Sequence, residues 1–138
     1  MIASFSHIPW LAVLAAFTVY FVLGGLWFTT LFKAPYARTL GKSVDELNNS
    51  APVFIAGPAL CSLIITVATA WLFRWLGITG LGQALGFGLL VGTGFLVANT
   101  VNIAINPNIP HPLRYGAITG AYHLVGILLV VTLLVTLG

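Results

Sequence analysis

The chain has 138 residues, 59% of them hydrophobic and 5% charged, with five Lys and Arg against two Asp and Glu. A soluble domain carries about 25% charged residues, so this chain cannot cover a water-facing globule, and it is far too apolar to stay disordered. The formal charge of +3 is too small and too confined to short connections for a nucleic-acid surface.

What remains is an integral membrane protein. A hydrocarbon core about 30 Å thick needs about 20 residues per helical crossing, so four crossings nearly use up the chain. The predicted fold is all-α: one polytopic transmembrane domain, 1–138, with four helices in an up-down-up-down bundle. Strands are excluded because the apolar stretches are long and lack period-two alternation, and an open sheet cannot exist in lipid. One cysteine, Cys61, leaves no intrachain disulfide.

The first crossing is predicted over 9–32. No Lys or Arg precedes it and it is longer than a signal-peptide core, so it is read as a retained span. Ser6 is the cap candidate, with Pro9 in the first turn. Trp10 and Trp27 are separated by about 25 Å of helix, close to the hydrocarbon thickness, and are read as interface anchors. The connection 33–50 holds Lys33, Arg38 and Lys42, and its Ser43-Val44-Asp45-Glu46 run matches a capping box, so a short interfacial helix is expected there.

The second crossing, 51–76, has Ser50 and Pro52 at its start and a bend expected at Gly57-Pro58. Trp71 and Trp75 anchor its far end beside Arg74, and Gly77 stops it. The third crossing, 81–105, carries Gly82 and Gly86 on one side and Gly88 and Gly92 on another. Glycine is costly in a helix unless a backbone approaches closely, so this helix is expected to be packed on two sides and to be the most buried. The Asn106 to Pro112 stretch breaks the chain before the fourth crossing, 113–137, where Gly116 and Gly120 continue the small-residue pattern.

Polar residues inside the spans mark candidate sites, because amides, hydroxyls and imidazoles in hydrocarbon must find partners. Asn99, Asn102 and Asn106 share a helical face, and Thr119, Tyr122 and His123 open the antiparallel helix after it. These groups are expected to meet between the third and fourth crossings, with His123 near the bilayer centre. The bland reading is an interhelical hydrogen bond worth about 1 kcal/mol.

Catalytic chemistry finds little to work with. A zinc site wants about four ligands, and His7 is predicted on the opposite side from His111. No intramembrane carboxylate completes a serine triad or drives proton-coupled export, and no phosphate loop or dinucleotide fingerprint follows a strand. The expectation is therefore a non-enzyme without cofactor, metal or nucleic acid. Its partners are the bilayer and either further copies of itself or other membrane subunits. The alternative is a channel or solute carrier lined by Asn99, Asn102, Thr119, Tyr122 and His123. Lys33, Arg38, Lys42 and Arg114 against Arg74 put 33–50 and 106–114 in the cytoplasm, with both termini outside.

Several segments carry a family likeness: Trp10-Leu11-Ala12-Val13, Val22-Leu23-Gly24-Gly25-Leu26-Trp27-Phe28, Leu40-Gly41-Lys42-Ser43 and Gly120-Ala121-Tyr122-His123-Leu124. With these the chain resembles a bacterial family of four-span membrane proteins, domain-of-unknown-function family 1761, over nearly its whole length. The family usually has Tyr where this chain has Phe28, and a bulkier loop after it. The resemblance implies four spans in a bacterial inner membrane and draws attention to His123 and Trp27. It implies no activity.

Overall fold

The computed structural model describes residues 8–47 and 51–138. Ser6 and Ser50, the expected caps, and His7, expected on the opposite side from His111, lie outside the described residues. Within them the chain forms helices and no strand. Four helices are long and apolar enough to cross a membrane: α1 (Trp10–Leu31), α3 (Val53–Leu76), α4 (Leu81–Ala104) and α5 (Pro112–Leu137). A short α2 (Lys33–Thr39) comes directly after α1.

The helix ends obey local chemistry. Gly77 terminates α3 in the left-handed conformation, φ 64°, a backbone shape that costs glycine nothing. The Gln83 side chain reaches back to accept from the Gly80 N–H at 3.3 Å and caps α4. Pro112 opens α5, where its missing N–H costs nothing. The expected capping box is present, with the Ser43 N–H donating to Glu46 Oε2 at 2.6 Å. It caps a single 3₁₀ turn, Val44–Glu46, while the helix of this connection is α2. Pro58 does not divide α3, which runs on as one helix.

Two spans contain a wider turn: Trp27–Leu31 closes α1 as a π turn, and Gly92–Val97 forms another inside α4. Each π turn delays the helical phase of the residues after it.

The helices run up, down, up and down. α1 and α5 form the central antiparallel pair, α3 flanks α1, and α4 flanks α5. The most buried span is the fourth crossing, not the third as expected from its glycines. In α5, 44% of the apolar stretch is buried, against 17% in α4. The small residues of α4 line two sides, but among the described residues only one of these meets another part of the chain. The core draws Ala12, Val13, Ala16 and Tyr20 from α1, and Ile127, Val130, Val131 and Leu134 from α5. α3 and α4, although joined by a short turn, meet through the edge-to-face rings of Phe73 and Phe87 at 5.4 Å.

Polar side chains in the spans are mostly satisfied within their own helix. The hydroxyls of Thr66, Thr69 and Thr132 donate to the carbonyls four residues earlier at 2.7–2.8 Å. Such residues impose no tertiary requirement. A polar group that bonds across helices does.

Candidate functional site

Tyr20 lies 11 residues before Leu31, the C-terminal end of α1, and His123 lies 11 residues after Pro112, the N-terminal end of α5, two ends on the same side of the antiparallel pair. At the helical rise this is about 16 Å, so the antiparallel pair brings the two to one level near mid-membrane. There the Tyr20 hydroxyl and His123 Nδ1 share a hydrogen bond of 2.7 Å. Tyr20 is 1% exposed. Among the described residues neither group has a further side-chain hydrogen bond, so the pair closes on itself.

Two glycines make room for it. A Cβ on Gly126 would clash with the edge of the Tyr20 ring, and one on Gly24 would lie 2.9 Å from the Tyr122 hydroxyl. Tyr122 packs on Tyr20 with ring centroids 5.3 Å apart and on His123 at 4.8 Å. Phe28 meets Tyr122 edge-on at 5.3 Å.

The π turn of α1 sets the next contacts. Trp27, at the start of that turn, donates its indole N–H to the Ile118 carbonyl at 3.1 Å. Trp27 therefore ties α1 to α5 as well. The aromatic contacts continue through Phe28–Tyr36 at 5.0 Å and Tyr36–Tyr115 at 5.7 Å. A column of rings thus runs from mid-membrane to α2. Burial, and then the neighbouring Tyr115, push the Tyr36 phenol well above its ordinary range.

The residues singled out from sequence divide between two places. Tyr122 and His123 are in the cluster around Tyr20. Thr119 is buried beside them, with its hydroxyl donating to the Tyr115 carbonyl at 2.7 Å. Asn99 and Asn102 are exposed on the flank of α4, and the meeting expected between the third and fourth crossings does not occur. His123 instead pairs across α1 and α5. The π turn at Gly92–Val97 supplies the reason. It lies just before Asn99, so a face counted at 100° per residue arrives turned away. Asn106 serves its own loop, donating to the Ile103 carbonyl at 2.7 Å and accepting from the Asn108 N–H at 2.9 Å.

The packing glycines divide as well. Cβ positions on Gly88 and Gly92 would meet Val131 and Leu124 at 2.9 and 2.8 Å, and those on Gly116 and Gly120 would meet Val101 and Val97 at 3.2 Å. These four form the α4–α5 contact. Gly82 and Gly86 have nothing within 4 Å, so their side of α4 meets no other part of the described chain. Of the other tryptophans, Trp10 and Trp75 are exposed, and Trp71 is half-buried with its ring 5.3 Å from that of Trp75.

Tyr20, Gly24 and Gly126 were not singled out from sequence. A usable signal was present in the pairing of a large polar aromatic with a glycine one turn away, in Tyr20…Gly24 and His123…Gly126. Among the described residues no three His, Cys, Asp or Glu side chains gather in one place.

The model of a family described as protein of unknown function (DUF1761) matches residues 11–135. No curated protein and no solved structure matches the chain.

Proposed function

The chain belongs to the DUF1761 family of proteins of unknown function, and we propose that it is a non-enzymatic membrane packing protein that self-associates through the outward face of α4. The observation that carries this reading is the pair of amides on that face. Asn99 and Asn102 are exposed, and their side chains make no hydrogen bond among the described residues. Asn99 lies about 8 Å of helix inside Ala104, which is within the hydrocarbon. An amide there needs a partner, and it carries both a donor and an acceptor. A second copy of the same face, related by a two-fold axis, offers both.

The rest of that face suits close approach. Gly82, Gly86 and Gly94 are exposed with nothing within 4 Å of a Cβ. In an unbroken α-helix, Asn102 would lie about 160° around the axis from Gly86. The π turn between them takes more residues per revolution and reduces that angle. Gly86 and Asn102 therefore approach a common face.

His123 acts in this reading as a packing group, since its partner is a phenol on the neighbouring helix. A solute path lined jointly by Asn99 and His123 would need the two on one surface, and they are not. We also propose that the end bearing Lys33, Arg38, Lys42 and Arg114 faces the cytoplasm of a bacterial inner membrane.

The test uses the single cysteine. Cys61 is exposed, so separate donor- and acceptor-labelled pools can be mixed in liposomes at falling protein-to-lipid ratio. Energy transfer should persist on dilution. The Asn99→Leu/Asn102→Leu variant should need about tenfold more protein in the bilayer, at about 0.6–1.7 kcal/mol per intramembrane hydrogen bond. Transfer at the random-proximity level throughout would refute self-association.

A further inference from the structure

A second feature lies at the end of the molecule where α2 passes the start of α5, separate from the α4 face and independent of self-association. A cavity of about 630 Å³ opens there between residues 35–42 and 111–118. Its volume falls within the range of small-molecule sites, about 300–1,000 Å³. Arg38, Lys42 and Arg114 line it. These are three of the five basic residues in the protein, and no carboxylate is among the lining residues. Glu46, whose carboxyl is held below its usual range first by hydrogen bonds from the Ser43 backbone and side chain and only last by the charge of Lys42, is committed to its own turn.

The two segments are joined by structure. The His111 N–H donates to the Thr39 carbonyl at 3.3 Å. Gly41 turns the chain at φ 68°, and a Cβ there would lie 3.3 Å from Pro110. The rings of Tyr36 and Tyr115 meet, tilted at 36°, across the same junction. The cations are thus gathered by backbone and ring contacts, and like charges are held together with no acid in the lining to balance them. Arg114 stands in the first turn of α5, whose N-terminal dipole adds positive potential. The other wall is apolar. Ala117 and Ile118 lie one turn further into the membrane along α5 and face the same cavity.

A cationic floor at the interface beside an apolar wall running into the hydrocarbon matches an amphiphile with an anionic head. We propose that this cavity binds the phosphate of an anionic phospholipid, with the headgroup on Arg38, Lys42 and Arg114 and the first acyl carbons along Ala117 and Ile118. The shared chemistry is a phosphate monoanion or diester. The apolar wall favours the lipid over a soluble phosphate, and the planar guanidinium forks suit phosphate oxygens.

Lys33 provides the control, because it belongs to the same connection and carries the same charge but does not line the cavity. The full-length protein in neutral maltoside micelles is titrated with phosphatidylglycerol and, separately, with phosphatidylcholine, and bound lipid is counted by native mass spectrometry. One phosphatidylglycerol should be retained in preference to phosphatidylcholine. Arg38→Gln/Arg114→Gln should weaken it about 25-fold, at about fivefold per basic residue, and Lys33→Gln should leave it within about twofold. Inorganic phosphate in millimolar excess should not displace it. Equal retention of the two lipids would overturn the site, as would equal losses for all charge-removing variants, which would mean bulk attraction only. Displacement by inorganic phosphate would overturn the lipid assignment in favour of a soluble phosphate. Unchanged far-ultraviolet circular dichroism in the variants separates a lost site from a lost fold.

Discussion

Replacing Tyr20 by Phe removes a single oxygen from the α1–α5 contact and leaves the ring packing in place. That oxygen is 2.7 Å from His123 Nδ1, and among the described residues no other side chain stands ready to replace it. Intramembrane hydrogen bonds between helices average about 0.6 kcal/mol and reach about 1.7. A closed pair with a buried phenol belongs toward the upper part of that range, because the abandoned imidazole nitrogen loses its one side-chain partner among the described residues. A double-mutant cycle of Tyr20→Phe and His123→Leu should therefore give a coupling of about 1–1.7 kcal/mol, a factor of about 5 to 18 in the unfolding equilibrium. Unfolding by dodecyl sulfate in mixed micelles supplies the measurement, with tryptophan fluorescence as the readout, since Trp27 lies against Tyr122 in the same cluster. The same cycle run with Thr119→Val in place of the histidine variant should be additive, because the Thr119 hydroxyl is spent on the Tyr115 carbonyl. Additivity within about 0.3–0.5 kcal/mol for Tyr20 and His123 as well would refute the claim that this bond holds the helices together.

The remaining predictions concern the glycines and the loop. Gly126→Ala should cost about 1–3 kcal/mol by overpacking, because its Cβ would clash with the edge of the Tyr20 ring; the dodecyl sulfate midpoint reads it, and Tyr20→Ala in the same chain should relieve much of the clash. Gly86→Ala should leave the micellar monomer as stable or stabilise it by up to about 1 kcal/mol, since nothing lies within 4 Å and alanine is the better helix former. Gly92→Ala, which meets Leu124 and Ile127, should destabilise the same monomer, and equal effects from the two substitutions would contradict the sidedness of α4. The Glu46 carboxyl should titrate below the ordinary glutamate value in a carbon-detected NMR titration, because the Ser43 backbone and side chain stabilise the carboxylate. Its contribution to the Val44–Glu46 turn is present above the unfolded-state value and is lost as pH falls through the lower folded-state one. Ser43→Ala should move the midpoint upward.

The four crossings were legible because length and charge placement alone delimit them. Lys33, Arg74 and Arg114 bound the apolar runs, while Gly77 and Pro112 stop and start helices for reasons local to the backbone. Which helix faces which was not legible. In lipid the hydrophobic pattern no longer tells inside from outside, since tails are as apolar as leucine. The phase count failed at the same point. Asn99 lies two residues beyond a π turn whose Gly92 and Gly94 do not set it apart, because glycines recur along the whole of that helix, and Trp27 sits at the start of the other. His123 was identifiable as a group needing a partner, but that partner lies 103 residues away on a helix whose rotation the sequence leaves open.

The same absence of hydrophobic direction explains why the central pair of helices carries a polar bond at all. Two apolar helices in lipid can slide along each other at little cost. A slip of α1 by one turn, about 5.4 Å, would separate Tyr20 from His123 and strand both polar groups in hydrocarbon. It would also carry the Tyr20 ring away from Gly126 and set it against the level of Tyr122 or Val130, four residues to either side. Hydrogen bond and ring-sized gap therefore select one register by different means, one electrostatic and one steric. The two are separable by experiment. Tyr20→Phe keeps the steric term, so a disulfide trap between Ala16→Cys and Val130→Cys in a Cys61→Ser background should retain its native preference over the neighbouring Ala16→Cys and Leu134→Cys pair. Tyr20→Ala loses both terms, and the preference should then relax. If Tyr20→Phe alone abolished it, the steric half of the reasoning would be wrong.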